Sequence, residues 1–132
     1  MISINGLVKK YDALLAVDGL NLEIPTGELF GFIGPNGAGK TTTIKILVGL
    51  LKPSSGTIHI DGVDIKQDPI RVKKIIGYIP DRPFLYHKLT GWEYLEFVAG
   101  LYSMDQDIAR EKAEKFFTFF DLQDFADELI EG

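Results

Sequence analysis

The sequence of 132 residues predicts an α/β fold in which a strand-rich first half precedes a helical second half. Three observations support this fold class. Short segments in the first half alternate apolar and polar residues, as strands with one buried face do. A glycine-rich loop follows a fully apolar segment and precedes a segment of helical length, which is the order strand, loop, helix. Beyond residue 89, apolar residues recur at helical spacing.

Six segments are predicted as strands because they are short and either alternate or are continuously apolar. They are residues 2–8, 13–17, 20–24, 29–33, 57–61 and 75–79. In Thr57–Asp61 the alternation places Ile58 and Ile60 on one buried face. Leu29–Ile33 is nearly all apolar, which predicts a parallel strand that is buried on both faces. We therefore expect an antiparallel β-subdomain together with part of a parallel-sheet core.

Helices are predicted from apolar spacing and from residues that favour helix ends. They cover residues 41–51, 70–74, a segment capped by Thr90 that reaches Tyr102, a segment from Asp105 or Asp107 to Phe120, and 122–130. Pro69 fits the first position of its helix, where the missing N–H costs nothing. Thr90 and Glu93 have the spacing of a capping box, in which each side chain accepts a hydrogen bond from the other residue's backbone.

Composition excludes several classes of protein. With no cysteine, the chain has neither a disulfide framework nor cysteine-ligated zinc. A net charge of −5 argues against a surface for duplex nucleic acid, which needs clustered Lys and Arg. No apolar run approaches the ~20 residues that span a bilayer, and the N-terminus lacks the pattern of a signal peptide. His59 and His87 have no metal-ligand partner at usable spacing. We expect a soluble, cytoplasmic chain.

The glycine-rich loop carries the strongest functional signal in the sequence. Gly34-Pro-Asn-Gly-Ala-Gly-Lys-Thr41 fits the phosphate-loop pattern G-x-x-x-x-G-K-[ST] at every fixed position. Glycines permit backbone conformations that are closed to other residues, so successive N–H groups can converge on phosphate oxygens. The following helix points its positive end at the same oxygens. The sequence therefore predicts a nucleotide-binding P-loop NTPase.

Each loop residue has an expected role. Lys40 supplies a full positive charge to the β- and γ-phosphates, Thr41 offers its hydroxyl to Mg²⁺, and Thr42 adds a contact on the α-phosphate side. The predicted nucleotide-binding residues of the loop are Gly34, Pro35, Asn36, Gly37, Ala38, Gly39, Lys40, Thr41 and Thr42.

The sequence after the loop resembles one family of P-loop proteins closely. From Gly34 through Gly-Leu-Leu-Lys-Pro-Ser-Ser-Gly to Thr57, it resembles the nucleotide-binding domain of ABC transporters. The triple threonine at 41–43 and Ile76-Gly-Tyr-Ile-Pro80 look most like the ATPases of ABC exporters. The resemblance covers essentially the whole chain but only the first half of such a domain. It implies an ABC ATPase-like fold with ATP and Mg²⁺ as cofactors.

The resemblance also assigns roles outside the loop. Tyr11 occupies the place of the aromatic residue that stacks on adenine, and Val17 that of an apolar contact near the ribose. Asp81 stands where the family carries the glutamine of the Q-loop, which touches Mg²⁺ and the attacking water. This is a departure, although a carboxylate is also a hard oxygen ligand for Mg²⁺. The implied metal ligands are Thr41 and Asp81, and Lys40 and Asp81 contribute to an incomplete catalytic set.

The predicted organisation is a β-subdomain and P-loop core over 1–80, a Q-loop region over 81–89 and a partial helical subdomain over 90–132. Family members further need an LSGGQ-type signature, an apolar strand ending in Asp-Glu and a switch histidine, and none of these occurs in the sequence. We therefore expect the N-terminal part of an ABC ATP-binding subunit that binds nucleotide without turnover.

The resemblance implies partners that the residues alone do not name. They are a transmembrane permease, which would hold the protein peripherally at the inner face of the membrane, and a second ATP-binding subunit in a dimer. Nucleic acid is not expected as a partner. Two alternatives stay open, a piece of a soluble ABC ATPase of DNA repair or translation and a non-catalytic interaction fragment. A nucleotide kinase or GTPase is disfavoured because no lid and no N-K-x-D pattern occur.

Overall fold

The structure, a computed structural model, describes residues 1–131 of the chain. Its contacts divide it into two compact units, a first unit over Met1–Ile79 and a second unit that begins at Pro80. No helix within the described residues is both long enough and apolar enough to cross a membrane.

An antiparallel sheet organises the first unit. Its strands are β1 (Ile2–Tyr11), β2 (Leu14–Ile24), β3 (Ser55–Ile60) and β4 (Val63–Asp64), in the spatial order β2-β1-β3-β4. Every neighbouring pair is antiparallel. The predicted antiparallel β-subdomain is thus present, with 13–17 and 20–24 joined into the single strand β2 and with β4 as an additional short strand.

Helix α1 (Lys40–Leu47) packs on this sheet and closes the core of the first unit. Ile4, Leu7, Ile46 and Ile58 are fully buried there. Burial of a side chain of this size contributes about 1.5–3 kcal/mol. Helix α2 (Pro69–Ile75) adds Val72 to the same core. Because α1 follows the glycine-rich loop directly, the packing of Ile46 fixes the helix on which that loop ends.

The close pairing of β1 and β3 leaves no room for a side chain at Gly56. A Cβ at this position would lie 2.5 Å from the carbonyl oxygen of Gly6 and 2.7 Å from Cα of Leu7. Gly56 also has a φ of +89°, which side-chain-bearing residues rarely adopt. The register of β1 against β3 shifts between Asn5 and Val8, at the point of this close approach.

Two strand predictions were wrong for the described residues. Leu29–Ile33 forms no strand, and Ile33 is 95% exposed. In the predicted strand 75–79, Ile75 ends α2, the remaining residues form no strand, and Ile79 is 90% exposed. A strand needs a hydrogen-bonding neighbour, and residues 1–131 place none beside either segment. The parallel part of the predicted core is therefore not formed by these residues.

The second unit is helical, with α3 (Gly91–Leu101) and α4 (Gln106–Phe119). The rings of Trp92 and Phe117 join these helices edge to face, with centroids 4.8 Å apart. The predicted capping box at Thr90 and Glu93 is present. The helix predicted over 122–130 is reduced to a single 3-10 turn, Gln123–Phe125, and Leu129 pairs with Thr90 in an isolated antiparallel bridge.

Candidate functional site

The glycine-rich loop leads into α1 with unusual backbone geometry. Gly37 and Gly39 have φ values of +85° and +80°, in the region that favours glycine. Gly39 is the N-cap residue and supplies no side-chain hydrogen bond to the helix. Its carbonyl accepts from Thr43 N at 2.8 Å, so the three preceding helical N–H groups have no intrahelical acceptor. These groups, on residues 40–42, are available to an anion at the positive end of the helix.

Gly39 also lies against the neighbouring strand. A Cβ at this position would lie 2.4 Å from the carbonyl oxygen of Ala16 and 3.1 Å from Cγ2 of Val17. By contrast, a Cβ at Gly37 would meet no atom within 4 Å. The loop is therefore seated on β2 at Gly39, whereas its tip at Gly37 is open.

Lys40 is folded back over its own loop. Its Nζ donates to the carbonyl oxygens of Gly34 at 2.5 Å and Pro35 at 2.6 Å. An ammonium group carries three donor hydrogens, so these two bonds leave one further donor. Gly34 and Pro35 thus serve in this structure as acceptors that hold the Lys40 side chain across the loop.

A pocket of about 370 Å³ lies over the loop and the start of α1. Eight of the predicted site residues line it: Tyr11, Asn36, Gly37, Ala38, Gly39, Lys40, Thr41 and Thr42. Leu14, Leu15 and Ala16, at the start of β2, complete the lining. The sequence analysis did not select these three, although they lie in the predicted strand 13–17, three to five residues after Tyr11. The structure brings an aromatic ring and the phosphate-loop residues to one open depression.

Val17 takes a different place from the one that the resemblance implies. It is only 7% exposed, belongs to the hydrophobic core and supports Gly39 from beneath. It is not among the residues that line the pocket with Tyr11. A ribose contact for Val17 stays a prediction, and the structure assigns it a packing role under the loop.

The implied metal ligands lie in different units. Thr41 is exposed on the first turn of α1 and lines the pocket, whereas Asp81 is an exposed residue near the start of the second unit. Within residues 1–131, no three His, Asp or Glu side chains cluster to hold a metal ion. Mg²⁺ is usually bound through one or two protein oxygens plus the phosphates of a substrate. The exposed Thr41 hydroxyl beside the loop fits a metal that arrives with a nucleotide.

An uncapped helix start, a glycine-rich loop and a lysine folded over it define a phosphate-binding loop protein. The ABC transporter family model matches residues 17–132, which include the loop, most of the first unit and the whole of the second. The chain therefore belongs to the ABC transporter family. The predicted family and the predicted P-loop NTPase fold class are both confirmed.

Curated relatives include transport ATP-binding proteins of bacteria. The daunorubicin/doxorubicin resistance ATP-binding protein DrrA of Streptomyces peucetius is 40% identical over 129 residues, which are 98% of this chain and 39% of that protein. The probable multidrug ABC transporter ATP-binding protein YbhF of Escherichia coli is 37% identical over 120 residues, 91% of this chain and 21% of that protein. The chain thus spans well under half the length of these relatives.

Solved structures of ABC ATP-binding proteins have the same fold. An ATP-binding subunit of an ABC transporter superposes with a TM-score of 0.85 at 30% identity, over 97% of this chain and 53% of that one. The cassette MJ0796, described as a dimer in a post-hydrolysis state bound to ADP and Pi, has a TM-score of 0.82 at 26% identity. That match covers 98% of this chain and 62% of that one.

Proposed function

We propose that this chain binds ATP through the loop over 34–42 and acts as the nucleotide-binding part of an ABC transporter subunit. The observation that carries the proposal is the shared pocket, in which the uncapped start of α1, Lys40 and the ring of Tyr11 meet. This combination offers donors for phosphates at one side and a flat apolar surface for a base at the other.

The phosphates would lie at the start of α1. The N–H groups of residues 40–42 and the open loop tip at Gly37 offer backbone donors without side chains in the way. Lys40 adds a full charge, which strengthens hydrogen bonds to anionic oxygens about twofold over neutral pairs. To reach those oxygens, its Nζ would use its remaining donor or exchange one of its two carbonyl partners.

The base would stack on Tyr11, which is 40% exposed and lines the same pocket. Stacking on a flat ring tolerates any base, so preference for adenine rests on the family. Bound Mg²⁺ would neutralise phosphate charge, with the Thr41 hydroxyl as its ligand in the first unit. We further propose that Asp81 takes part in the metal site as a carboxylate in place of the family's glutamine.

Export is the transport process that the relatives support. DrrA is named for drug resistance and YbhF for probable multidrug transport, and each is an ATP-binding protein. By this likeness the parent subunit would dimerise around ATP, hydrolyse it and drive export through a transmembrane permease at the inner face of the membrane. These same names favour transport over the alternatives of DNA repair or translation and over an interaction fragment without catalysis.

Binding is tested by titrating the purified 132-residue chain with a fluorescent ATP analogue and Mg²⁺, beside Lys40→Ala and Lys45→Ala. Losing the Lys40 contacts with phosphate should cost ~1.5–3 kcal/mol, roughly ten- to a hundredfold in affinity. Lys45 lies on the same helix, is exposed and is outside the pocket, so its loss removes an equal charge as a matched control.

The proposal requires that the two variants differ. Equal affinities for Lys40→Ala and Lys45→Ala, or no binding by the unaltered chain, would contradict it. We also expect no ATP turnover by this chain alone, because its sequence contains no signature segment and no Asp-Glu pair after an apolar strand.

A further inference from the structure

Lys9 and Tyr11 form a pair at the edge of the pocket that the phosphate loop does not explain. Both lie on β1, two residues apart, and such residues share one face of a strand. The Nζ of Lys9 lies over the Tyr11 ring, 4.8 Å from its centroid. An ammonium group at this distance is attracted by the negative face of the ring.

The ammonium group is held in place by a second partner. Lys9 Nζ donates to the carbonyl oxygen of Lys52 at 2.9 Å, 43 residues further along the chain. That carbonyl is itself fixed, because the turn after α1 is joined to β1 on either side of Lys9. Ser54 N donates to Val8 O at 2.9 Å, and Ser54 Oγ accepts from Lys10 N at 3.0 Å. The position of the charge is therefore set by the fold of the first unit.

We propose that Lys9 is a positioning residue for the base of the bound nucleotide. Its ammonium covers one face of the Tyr11 ring and fixes the ring, so that the base is received on the other face, toward the pocket. A ring that is already ordered loses less rotamer freedom on binding, which raises affinity. This inference rests on the proposed function, since it concerns the same site.

A direct role of Lys9 on the phosphates is the competing explanation. The geometry argues against it, because Nζ is engaged by the ring and the Lys52 carbonyl, and Lys9 is not among the residues that line the pocket. Lys40, in contrast, lies at the loop and lines the pocket. The two explanations differ in which part of the nucleotide should respond to Lys9.

The test compares Lys9→Met with Lys10→Met, using MgATP and inorganic tripolyphosphate as probes in calorimetric titrations of the full chain. The two variants lose the same charge from adjacent positions of β1, and Lys10 is exposed. We expect Lys9→Met to weaken MgATP binding about two- to fivefold relative to Lys10→Met. Tripolyphosphate, which has no base, should bind the two variants equally.

A double-mutant cycle identifies the ring as the intermediary. In a Tyr11→Leu background, Lys9→Met should have no further effect on MgATP affinity. A Lys9→Arg variant that keeps Tyr11 should bind MgATP as tightly as the unaltered chain, because Arg also lies over aromatic faces. An equal loss for MgATP and tripolyphosphate, or an undiminished Lys9 effect without Tyr11, overturns the inference. If the unaltered chain binds tripolyphosphate and binds MgATP no more tightly than tripolyphosphate, the proposed base subsite is wrong. If it binds neither, the proposed function fails.

Discussion

At the scale of single residues, the seat of the phosphate loop depends on the contact of Gly39 with β2. Two separate features require glycine at position 39: its φ of +80°, and the 2.4 Å distance that a Cβ there would have from the Ala16 carbonyl oxygen. At Gly37 only the backbone conformation requires glycine, because φ is +85° but a Cβ would meet no atom within 4 Å. Comparing Gly37 with Gly39 therefore distinguishes the effect of a positive φ from the effect of steric crowding within one loop.

Gly39→Ala should destabilise the chain more than Gly37→Ala. A left-handed φ costs alanine about 1–2 kcal/mol, and this cost applies to both variants. Crowding against Ala16 and Val17 adds roughly 1–3 kcal/mol at position 39 alone. The free energy of unfolding from urea denaturation measures the difference. Equal values for the two variants would show that the loop lifts off β2 at little cost.

The roles of residues at the site were predictable to the extent that a short local pattern encodes them. The residues from Gly34 to Thr41 determine the backbone geometry of the loop, because glycine spacing and a following helix are local properties. The packing of Val17 under Gly39 and the contact of Lys9 with Lys52 join distant parts of the chain. No pattern along the sequence reports such contacts before the fold is known.

At the scale of elements, the start of α3 is fixed by two reciprocal hydrogen bonds. Thr90 Oγ1 accepts from Glu93 N at 3.2 Å, and Glu93 Oε2 accepts from Thr90 N at 2.9 Å. This box was predicted from sequence because both partners lie three residues apart. The conformation around Leu129 was not predicted from sequence, since it depends on the pairing of Leu129 with Thr90 rather than on helical spacing.

Thr90→Ala should lower the free energy of unfolding of the second unit by about 1 kcal/mol, because loss of an N-cap hydroxyl leaves a helix donor without its acceptor. Glu93→Gln is the matched control, since glutamine also serves as the second member of a capping box. Circular dichroism during urea denaturation follows both variants. A Glu93→Gln loss as large as that of Thr90→Ala would mean that charge, and not the box, stabilises this helix.

The strand predictions show where element-scale reasoning ends. Alternation identified β3 around Ile58 and Ile60 because one face of it meets the core within the same unit. The apolar character of Leu29–Ile33 predicted a strand buried on both faces, and this was wrong for the described residues because they place no strand beside it. A sequence pattern indicates which faces of a segment are suited to burial, whereas the neighbouring elements determine whether those faces are buried.

At the scale of the whole molecule, these unpaired segments predict self-association. Leu29, Ile33 and Ile79 are almost fully exposed, and the backbone around them is unpaired by any strand of residues 1–131. Exposed apolar segments with free strand edges are templates for pairing with another chain. The weight-average mass from light scattering should rise above the monomer value as concentration increases.

The double substitution Leu29→Lys with Ile33→Lys should suppress this association without loss of the folded core, since both side chains are exposed. Ile70→Lys is the control, because Ile70 is an exposed apolar residue of α2 whose backbone is helical. Concentration-independent monomer mass for the unaltered chain, or equal suppression by the control, would count against pairing through these segments.

The close pairing of β1 and β3 at Gly56 has a consequence for how genetic screens of this protein should be interpreted. Because no side chain fits at Gly56, substitutions there should lower ATP binding in a saturation library, as changes at Lys40 should. A selection that reads only ATP binding would group the two positions together. A parallel readout of protein abundance separates them, since Gly56 variants should be depleted from the cell whereas Lys40 variants should accumulate as folded protein that binds ATP weakly.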